Sequence, residues 1–516
     1  MADDGSTIRE ALEQFQESES GSDYNRRDFY DDIMFARMSE QWPKEVKEIR
    51  RQEGRPCLTV NKLAPLVRQV VNESRQNKPA IEISPVDNGA DINTAEVISG
   101  LVRSIERHSD ADIAYDTAID HAVSGGFGFF RIDIDYAHDE SFDLEARIRR
   151  IPNALMVHWD INSTAGDASD WNYAFVSDFL TKEQFKRQYP DAQPVNFEGD
   201  DRDYINYWMQ EEQIRIAEYF TRTEGKRKLF QLSNGAVFRE DMLPMAARRF
   251  FETGGIDLGP ADDDEVISAY LAATGLAVQN QREATFFEVK RRMISGVEVL
   301  EEEDWPGSMI PICPVWGDEV MADGRRYFRS MIRDAKDAQM MHNFWRSATT
   351  ELVALAPRAP FLIEDNAIPP GEEEKWATAN TRSHPYLKYA QGRNMPQRQP
   401  FASTPTGALQ EAISANEDMQ AITGIYPSSI GERSNETSGR AILARERQAN
   451  VSNFHFIDNL SRAIRYAGRV LVEIIPAVYS TRQTIRILGQ DESEKVVRLT
   501  PRRRSSSVFF VHTLRR

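Results

Sequence analysis

Two acids spaced two positions apart are the residues of this sequence that could do chemistry. Asp133 and Asp135 stand in the run RIDIDY, whose alternation of apolar and polar residues predicts a β-strand. Because side chains two apart on a strand share a face, both carboxylates could bind one Mg²⁺ ion. A Mg²⁺-dependent enzyme would also need a third acid and a concave site. Alternate acids on a solvated strand face are commoner, so the sequence favours no metal site and keeps the enzyme as an alternative.

A glycine cluster precedes this strand. Gly125, Gly126 and Gly128 resemble a phosphate-binding loop in composition, but no GxxxxGK[ST] motif is present. The predicted order is helix then strand, whereas a phosphate site needs a strand followed by the N-terminus of a helix. The glycines therefore predict a sharp turn.

No other set of residues has the spacing of a catalytic or metal-binding motif. The eight histidines form no HExxH or HxH pattern, and no GxSxG motif occurs. The two cysteines, Cys57 and Cys313, exclude a disulfide framework and a four-cysteine metal site, and we expect buried thiols. The sequence thus predicts no catalytic, cofactor-binding or metal-ligating residue, and no cofactor.

The sequence predicts several long helices, which would position the residues of any functional site. Apolar residues recur every three or four positions in five stretches: residues 24–38, 62–76, 94–123, 325–355 and 438–475. The third stretch is one helix or two abutting helices, and Pro476 is expected to close the last one.

Strands are predicted in two places. Residues 129–136 and 142–151 alternate apolar and polar residues, which predicts an antiparallel pair. Residues 215–320 mix short strands with a helix near 263–274 and frequent Gly and Pro, which predicts a compact excursion from a larger body. Residues 356–405 are rich in Pro, Gly and charge, and such a long irregular connection is usually functional or mobile. The predicted fold class is α+β, mainly α.

The composition is that of a globular protein with an excess of acid. Asp and Glu number 81 against 63 Lys and Arg, so the formal charge is −18. Because phosphate binding depends on Lys and Arg, this excess argues against a protein that grips nucleic acid or anionic lipid. No stretch approaches the roughly 20 apolar residues that span a bilayer, and the acidic start is unlike a signal peptide. We therefore expect a protein made in the cytoplasm.

Several long segments, in order, resemble the portal proteins of short-tailed bacteriophages. Two N-terminal segments carry the resemblance, at residues 54–87 (beginning GRPCLTVNKLAPLVRQ) and 94–132 (ending SGGFGFFRI). Three more follow, at residues 310–319 (IPICPVWGDE), 333–362 and 418–464 (containing IGERSNETSGRAILARERQ). Together they extend over roughly residues 20–500.

The resemblance implies a ring-forming structural component of the virion and no enzyme. Such a ring has about twelve copies, sits at one capsid vertex, and is the passive channel for DNA packaging and ejection. DNA would pass without sequence-specific binding. The partners implied are the terminase large subunit, the scaffolding and capsid proteins, and head-completion or tail adaptor proteins, with no membrane. A cytosolic helical adaptor is the alternative, which oligomer size would separate.

The same resemblance divides the chain into the parts of a portal subunit. These are an α+β wing (1–215), a small β-containing clip segment (216–320), a stem helix (321–356), an irregular channel segment (357–405), a helical inner wing or crown (406–480) and a short tail (481–516).

Charged residues on the predicted stem helix are candidates to face the channel. Most of them lie off its apolar stripe, where a plain solvent-facing role is the alternative. They are Arg329, Arg333, Lys336 and Asp337.

The C-terminal sequence departs from the family pattern. After Pro501 the chain reads RRRSSSVFFVHTLRR, without the further domain that the family leads one to expect. A truncation or a change of reading frame is the favoured interpretation. A naturally short crown, or a basic tail that contacts DNA or a partner, are the alternatives.

Overall fold

The protein is a mixed α/β structure, in which more of the described residues lie in helices than in strands. The computed structural model describes residues 2–76, 79–85, 92–192, 208–210, 213–254, 262–355, 361–379, 382–398, 406–425, 453–479, 484–488, 494–498 and 509–515. The α+β class predicted from the sequence agrees with this mixture.

Groups of helices and groups of strands follow one another along the described chain. The helices are α1 (Ala2–Ala36), α2 (Lys44–Gln52), α3 (Leu63–Gln76), α4 (Ile92–His108), α5 (Ala111–Gly125), α6 (Lys182–Gln188), α7 (Met242–Thr253), α8 (Asp263–Thr274), α9 (Met331–Leu355), α10 (Glu373–Ala377), α11 (Thr406–Thr423) and α12 (Phe454–Val478). The strands are β1 (Pro79–Pro85), β2 (Phe127–Tyr136), β3 (Leu144–Arg150), β4 (Val157–Trp159), β5 (Tyr173–Thr181), β6 (Met209–Gln210), β7 (Gln213–Leu232), β8 (Val237–Arg239), β9 (Val278–Ile294), β10 (Val299–Trp305), β11 (Ile312–Trp316), β12 (Asp318–Ala322), β13 (Arg325–Arg329), β14 (Phe361–Leu362), β15 (Gln397–Arg398), β16 (Thr484–Leu488), β17 (Glu494–Arg498) and β18 (Phe509–Arg515).

Helix α5 lies within the main core. Its residues Ala114, Ala118 and Ala122 are at most 1% exposed, and their small side chains let neighbouring elements approach closely. Asp110, with a φ of 47°, separates α5 from α4. The periodic stretch 94–123 is therefore two abutting helices.

Glycines form the corner between α5 and β2. Gly126 has a φ of 101°, and a Cβ there would lie 2.3 Å from the carbonyl oxygen of Phe328. A Cβ on Gly128 would lie 2.0 Å from the carbonyl oxygen of Ala118. Only glycine fits both positions, which confirms the predicted turn.

Two antiparallel sheets carry the strands of the body. The predicted pair is observed as β2 and β3, with Ile132 opposite Ile148, and β11 adds on the other side of β2. The larger sheet follows the path β10-β9-β7-β5-β4. The first half of α1 packs on it through Phe15 and its neighbours, against Phe175 and Tyr219.

Strands β7 and β9 continue beyond the larger sheet as a ribbon. From Arg222 onward β7 pairs with β9 and no longer with β5. At about 3.3 Å per residue the ribbon extends roughly 30 Å, and helices α7 and α8, which lie between β8 and β9 in the sequence, pack together. The expectation of a compact excursion over 215–320 is wrong, because β7, β9 and β10 also belong to the sheet of the body. The predicted boundary at residue 215 falls inside β7.

The C-terminal residues form part of the fold. Strand β18 pairs antiparallel with β1 over seven residues, from Pro79 opposite Arg515 to Pro85 opposite Phe509. Ile81 and Ile83 of β1 belong to the main core. The segment that the sequence interpreted as a truncated or frame-shifted end therefore supplies a strand that fits this fold.

Helix α12 differs from its prediction at one end. The helix runs through Pro476 to Val478, because a proline near the end of a helix removes a single backbone hydrogen bond. Pro476 therefore does not close it. The predicted start at residues 438–452 lies outside the described residues. Among the described helices, none combines the length and the hydropathy of a membrane span.

Candidate functional site

Helix α9 begins at a serine cap in the interior. The Ser330 hydroxyl accepts hydrogen bonds from the backbone N–H groups of Ile332 and Arg333, both at 3.1 Å. It donates to Asp32 Oδ2 of α1 at 2.6 Å. The cap satisfies two free N–H groups of the helix and fixes its start against α1.

Two of the four candidate channel residues bind buried acid. Lys336 Nζ lies 2.7 Å from Asp32 Oδ1 and also pairs with Asp31. Arg333 lies 2.9 Å from Asp32 Oδ1 and 3.0 Å from Asp28 Oδ1. Lys336 is 8% exposed and Asp32 1%. These cations hold α9 to α1, and their charges are largely neutralised within the subunit.

The electrostatics of this cluster are dominated by burial. Burial raises the pKa of Asp32 above its ordinary value, although Lys336 and Ser330 donate to it and Arg333 adds positive charge. Desolvation thus outweighs the attraction of two cations. Loss of either cation would leave the remaining acid poorly compensated.

The other two candidates have exposed side chains. Arg329 pairs with Asp334 at the surface, and Asp337 is exposed. The structure therefore separates the four residues into a pair that binds the buried Asp32 and a pair with exposed side chains. Their orientation toward a channel stays a prediction.

Helix α9 has different neighbours on its two flanks. On one flank Arg50 of α2 lies 3.2 Å from Glu351. On the other, His342 Nδ1 lies 3.0 Å from the carbonyl oxygen of Ala412 in α11. His342 and Glu351 are nine residues apart, about two and a half turns, so they lie on opposite faces of the helix.

A groove of about 460 Å³ opens between α9 and α11. Its floor is apolar and includes Met341, which is 46% exposed, and Ile422, which is 47% exposed. Its lining also contains four acids: Asp334, Asp337, Glu411 and Asp418. Of these, Asp334 pairs with Arg329, and the other three have no ion-pair partner among the described residues. We call this surface the acidic groove.

Helix α2 is a helix with few contacts. Arg50 is its only buried residue, whereas Val46 is 39% exposed and Ile49 is 55% exposed. A nine-residue helix is too short to be stable in water by itself. Contact with another protein surface would therefore stabilise α2 more than it would a longer helix.

The acids Asp133 and Asp135 are bound by arginines. Arg131 lies 3.3 Å from Asp133, and Arg149 lies 3.5 Å from Asp133 and also reaches Asp135. The ion pairs of Arg149 join β3 to β2, whereas that of Arg131 lies within β2. Within the described part of the chain, no three His, Cys, Asp or Glu side chains converge as a metal site.

Sequence reasoning missed the acidic groove. Asp334, Asp337, Glu411 and Asp418 are separated in sequence by the 50-residue irregular connection, so no spacing rule relates them. One sequence signal could have indicated the groove. The apolar residues Met341 and Ile422 lie on helices whose acids recur at helical intervals, three residues apart on α9 and seven apart on α11.

Comparison with known proteins shows that this chain is similar to phage portal proteins. The family model described as phage P22-like portal protein matches residues 12–508. A portal protein of Acyrthosiphon pisum secondary endosymbiont phage 1 is 24% identical over 465 residues, which is 86% of this chain and 61% of that protein. The chain thus spans less than two thirds of the length of that curated relative.

Proposed function

The chain belongs to the phage P22-like portal protein family, and from this premise we propose that it forms the portal ring at one vertex of a phage capsid. The observation that carries the proposal is the family match over residues 12–508. The family consists of structural phage components and not of enzymes. Membership confirms the resemblance in the sequence and favours the portal over the helical adaptor.

The ring would be a passive channel for DNA. Terminase would drive DNA through it during packaging, and DNA would leave by the same route at ejection. The net charge of −18 per copy supports a channel that does not hold DNA, because like charges repel. The ring would also bind scaffolding and capsid proteins and, later, head-completion or tail proteins.

The parts of the subunit are proposed from the architecture. The ribbon of β7 and β9 with α7 and α8 would be the clip, since it extends from the body and α7 exposes Met245 and Phe250. The body would be the wing, α9 the stem, and α11 and α12 the inner wing or crown. Arg329 is the candidate with the best access to a channel, whereas Arg333 and Lys336 would act by fixing α9.

Native mass spectrometry with negative-stain microscopy tests the proposal. We expect closed rings near twelve copies, about the number implied by the family resemblance. Because some assemblies need a scaffold, the purified chain is measured alone and with its scaffolding protein. A chain that stays monomeric or dimeric in both conditions would overturn the ring and the channel role.

A further inference from the structure

We propose that the acidic groove binds helix α2 of a neighbouring copy of this chain. This inference rests on the proposed ring and identifies a contact between its subunits. The occupant is a second copy, because helix α2 of the chain itself carries exposed cations that complement the acids of the groove.

Charge is the first argument. Lys44, Lys47 and Arg51 of α2 follow one another at intervals of three and four, so they lie on one face of the helix, which also carries Glu48. All three are exposed, and none has an ion-pair partner among the described residues. The groove offers Asp337, Glu411 and Asp418 in the same condition. Three cations thus meet three unpaired carboxylates.

Apolar contact is the second argument. The floor of the groove exposes Met341 and Ile422, which water would cover unfavourably in a free subunit. The aliphatic stems of Lys44 and Lys47 can cover this floor while their ammonium groups reach the acids at the rim. A helix lying between two helices is also a common packing arrangement.

Position is the third argument. Helix α2 contacts one flank of α9 through Arg50 and Glu351, and the groove opens on the flank of α11. The two complementary surfaces therefore lie on different flanks of α9. A ring requires this arrangement, because each copy meets the next through two different patches and the rotation closes.

In this contact Asp337 would lie in the interface between two copies. Asp337 would then neutralise a cation of the neighbour and would not line the channel. It also explains why a helix as short as α2, with Arg50 as its one buried residue, persists on the subunit surface.

Charge reversal tests the contact. Assembly of four full-length chains is followed by native mass spectrometry over a concentration series: wild type, Lys44→Glu with Lys47→Glu, Asp337→Lys with Asp418→Lys, and all four changes together. We expect each double variant to need about tenfold more protein for half assembly, the effect of a few solvent-exposed ion pairs. The quadruple variant should assemble like the wild type.

A matched control changes charge elsewhere. Lys186→Glu with Arg187→Glu alters the same number of charges on the exposed helix α6 and should leave assembly unchanged. Circular dichroism and the melting temperature show whether each variant folds. The proposed contact would be overturned if the charge-reversal variants assembled like the wild type, or if the control variant impaired assembly as much as they do.

Disulfide trapping provides a second readout. Lys47→Cys and Asp418→Cys are placed in one chain that carries Cys57→Ser, while buried Cys313 stays in place. Mild oxidation of assembled rings should give a ladder of linked chains on a non-reducing gel. Rings without a ladder would refute the contact and leave the ring intact, whereas a wild type that forms no ring would refute the proposed function first.

Discussion

The positive charge of Lys336 is neutralised within the subunit. The sequence pattern places Lys336 off the apolar stripe of its helix, which predicts an exposed side chain. In the structure its ammonium group pairs with Asp32, which is 1% exposed. A buried acid that loses its cation keeps the full desolvation penalty. The residue therefore matters to the position of α9 more than to the charge of the molecular surface.

Substitution of Lys336 tests this role. We expect Lys336→Met to destabilise the subunit by about 3 kcal/mol, because Asp32 loses a buried partner. Arg329→Met removes a solvent-exposed pair with Asp334 and should cost less than about 1 kcal/mol. Urea unfolding of both variants measures the difference. Equal losses would show that the cluster contributes no more than a surface pair.

His158 couples the stability of α1 to pH. Its ring is 1% exposed, and Nε2 donates to Glu19 Oε2 at 2.8 Å. Burial lowers the pKa of His158 to about 3, and the charge of Arg26 adds to the effect. The unfolded chain would bind a proton near the ordinary value of 6.5 while the folded chain does not. Stability is therefore lost as the pH falls from about 6.5 toward 3.

The pH dependence can be measured on one variant. We expect the melting temperature of the wild type to fall on acidification from about pH 6.5 to about pH 4, and the slope to be smaller for His158→Gln, which cannot take up the proton. His138→Gln, on the surface, is the control and should follow the wild type. A variant as steep as the wild type would contradict the assignment.

At the scale of elements, the corner from α5 to β2 depends on close backbone contact. Gly126 and Gly235 both have a positive φ, of 101° and 82°. A Cβ would collide with the Phe328 carbonyl at Gly126, whereas at Gly235 it would meet open space. A comparison of substitutions at Gly126 and Gly235 therefore separates the cost of a positive φ from the cost of a steric clash.

We expect different losses from the two alanine variants. Gly235→Ala should cost about 1 kcal/mol, the strain of a positive φ. Gly126→Ala should cost about 2 kcal/mol more, since β13 or the corner must shift. Thermal unfolding of both variants measures this. Similar losses would indicate that the corner moves freely.

At the scale of the whole molecule, the excess of acid bears on DNA. Twelve copies would carry 12 × −18 = −216 formal charges. Non-specific DNA binding by proteins draws on Lys and Arg, so the assembled ring should hold duplex DNA weakly.

Fluorescence anisotropy with assembled rings tests this weakness. At physiological salt we expect a dissociation constant weaker than about 10⁻⁴ M, the weak end of non-specific binding. Two duplexes of different sequence should behave alike. Tight binding, or preference for one duplex, would contradict a passive channel.

The sequence by itself determined the local elements and the family. Helical periodicity predicted α3 closely, the strand pattern predicted β2 and β3, and the glycines predicted the corner at Gly126. Long ordered segments carried the resemblance to portal proteins. These features are local or contiguous, so one stretch of chain contains all the information that they need.

Only the tertiary structure decided which charges remain available. Lys336 and Asp337 are neighbours in sequence, yet one pairs with buried Asp32 and the other lies at the groove of α9 and α11. Strand β18 likewise pairs with β1, more than 400 residues away in sequence. Such partners come from distant parts of the chain, and their free energies depend on burial and distance, which neither composition nor spacing contains.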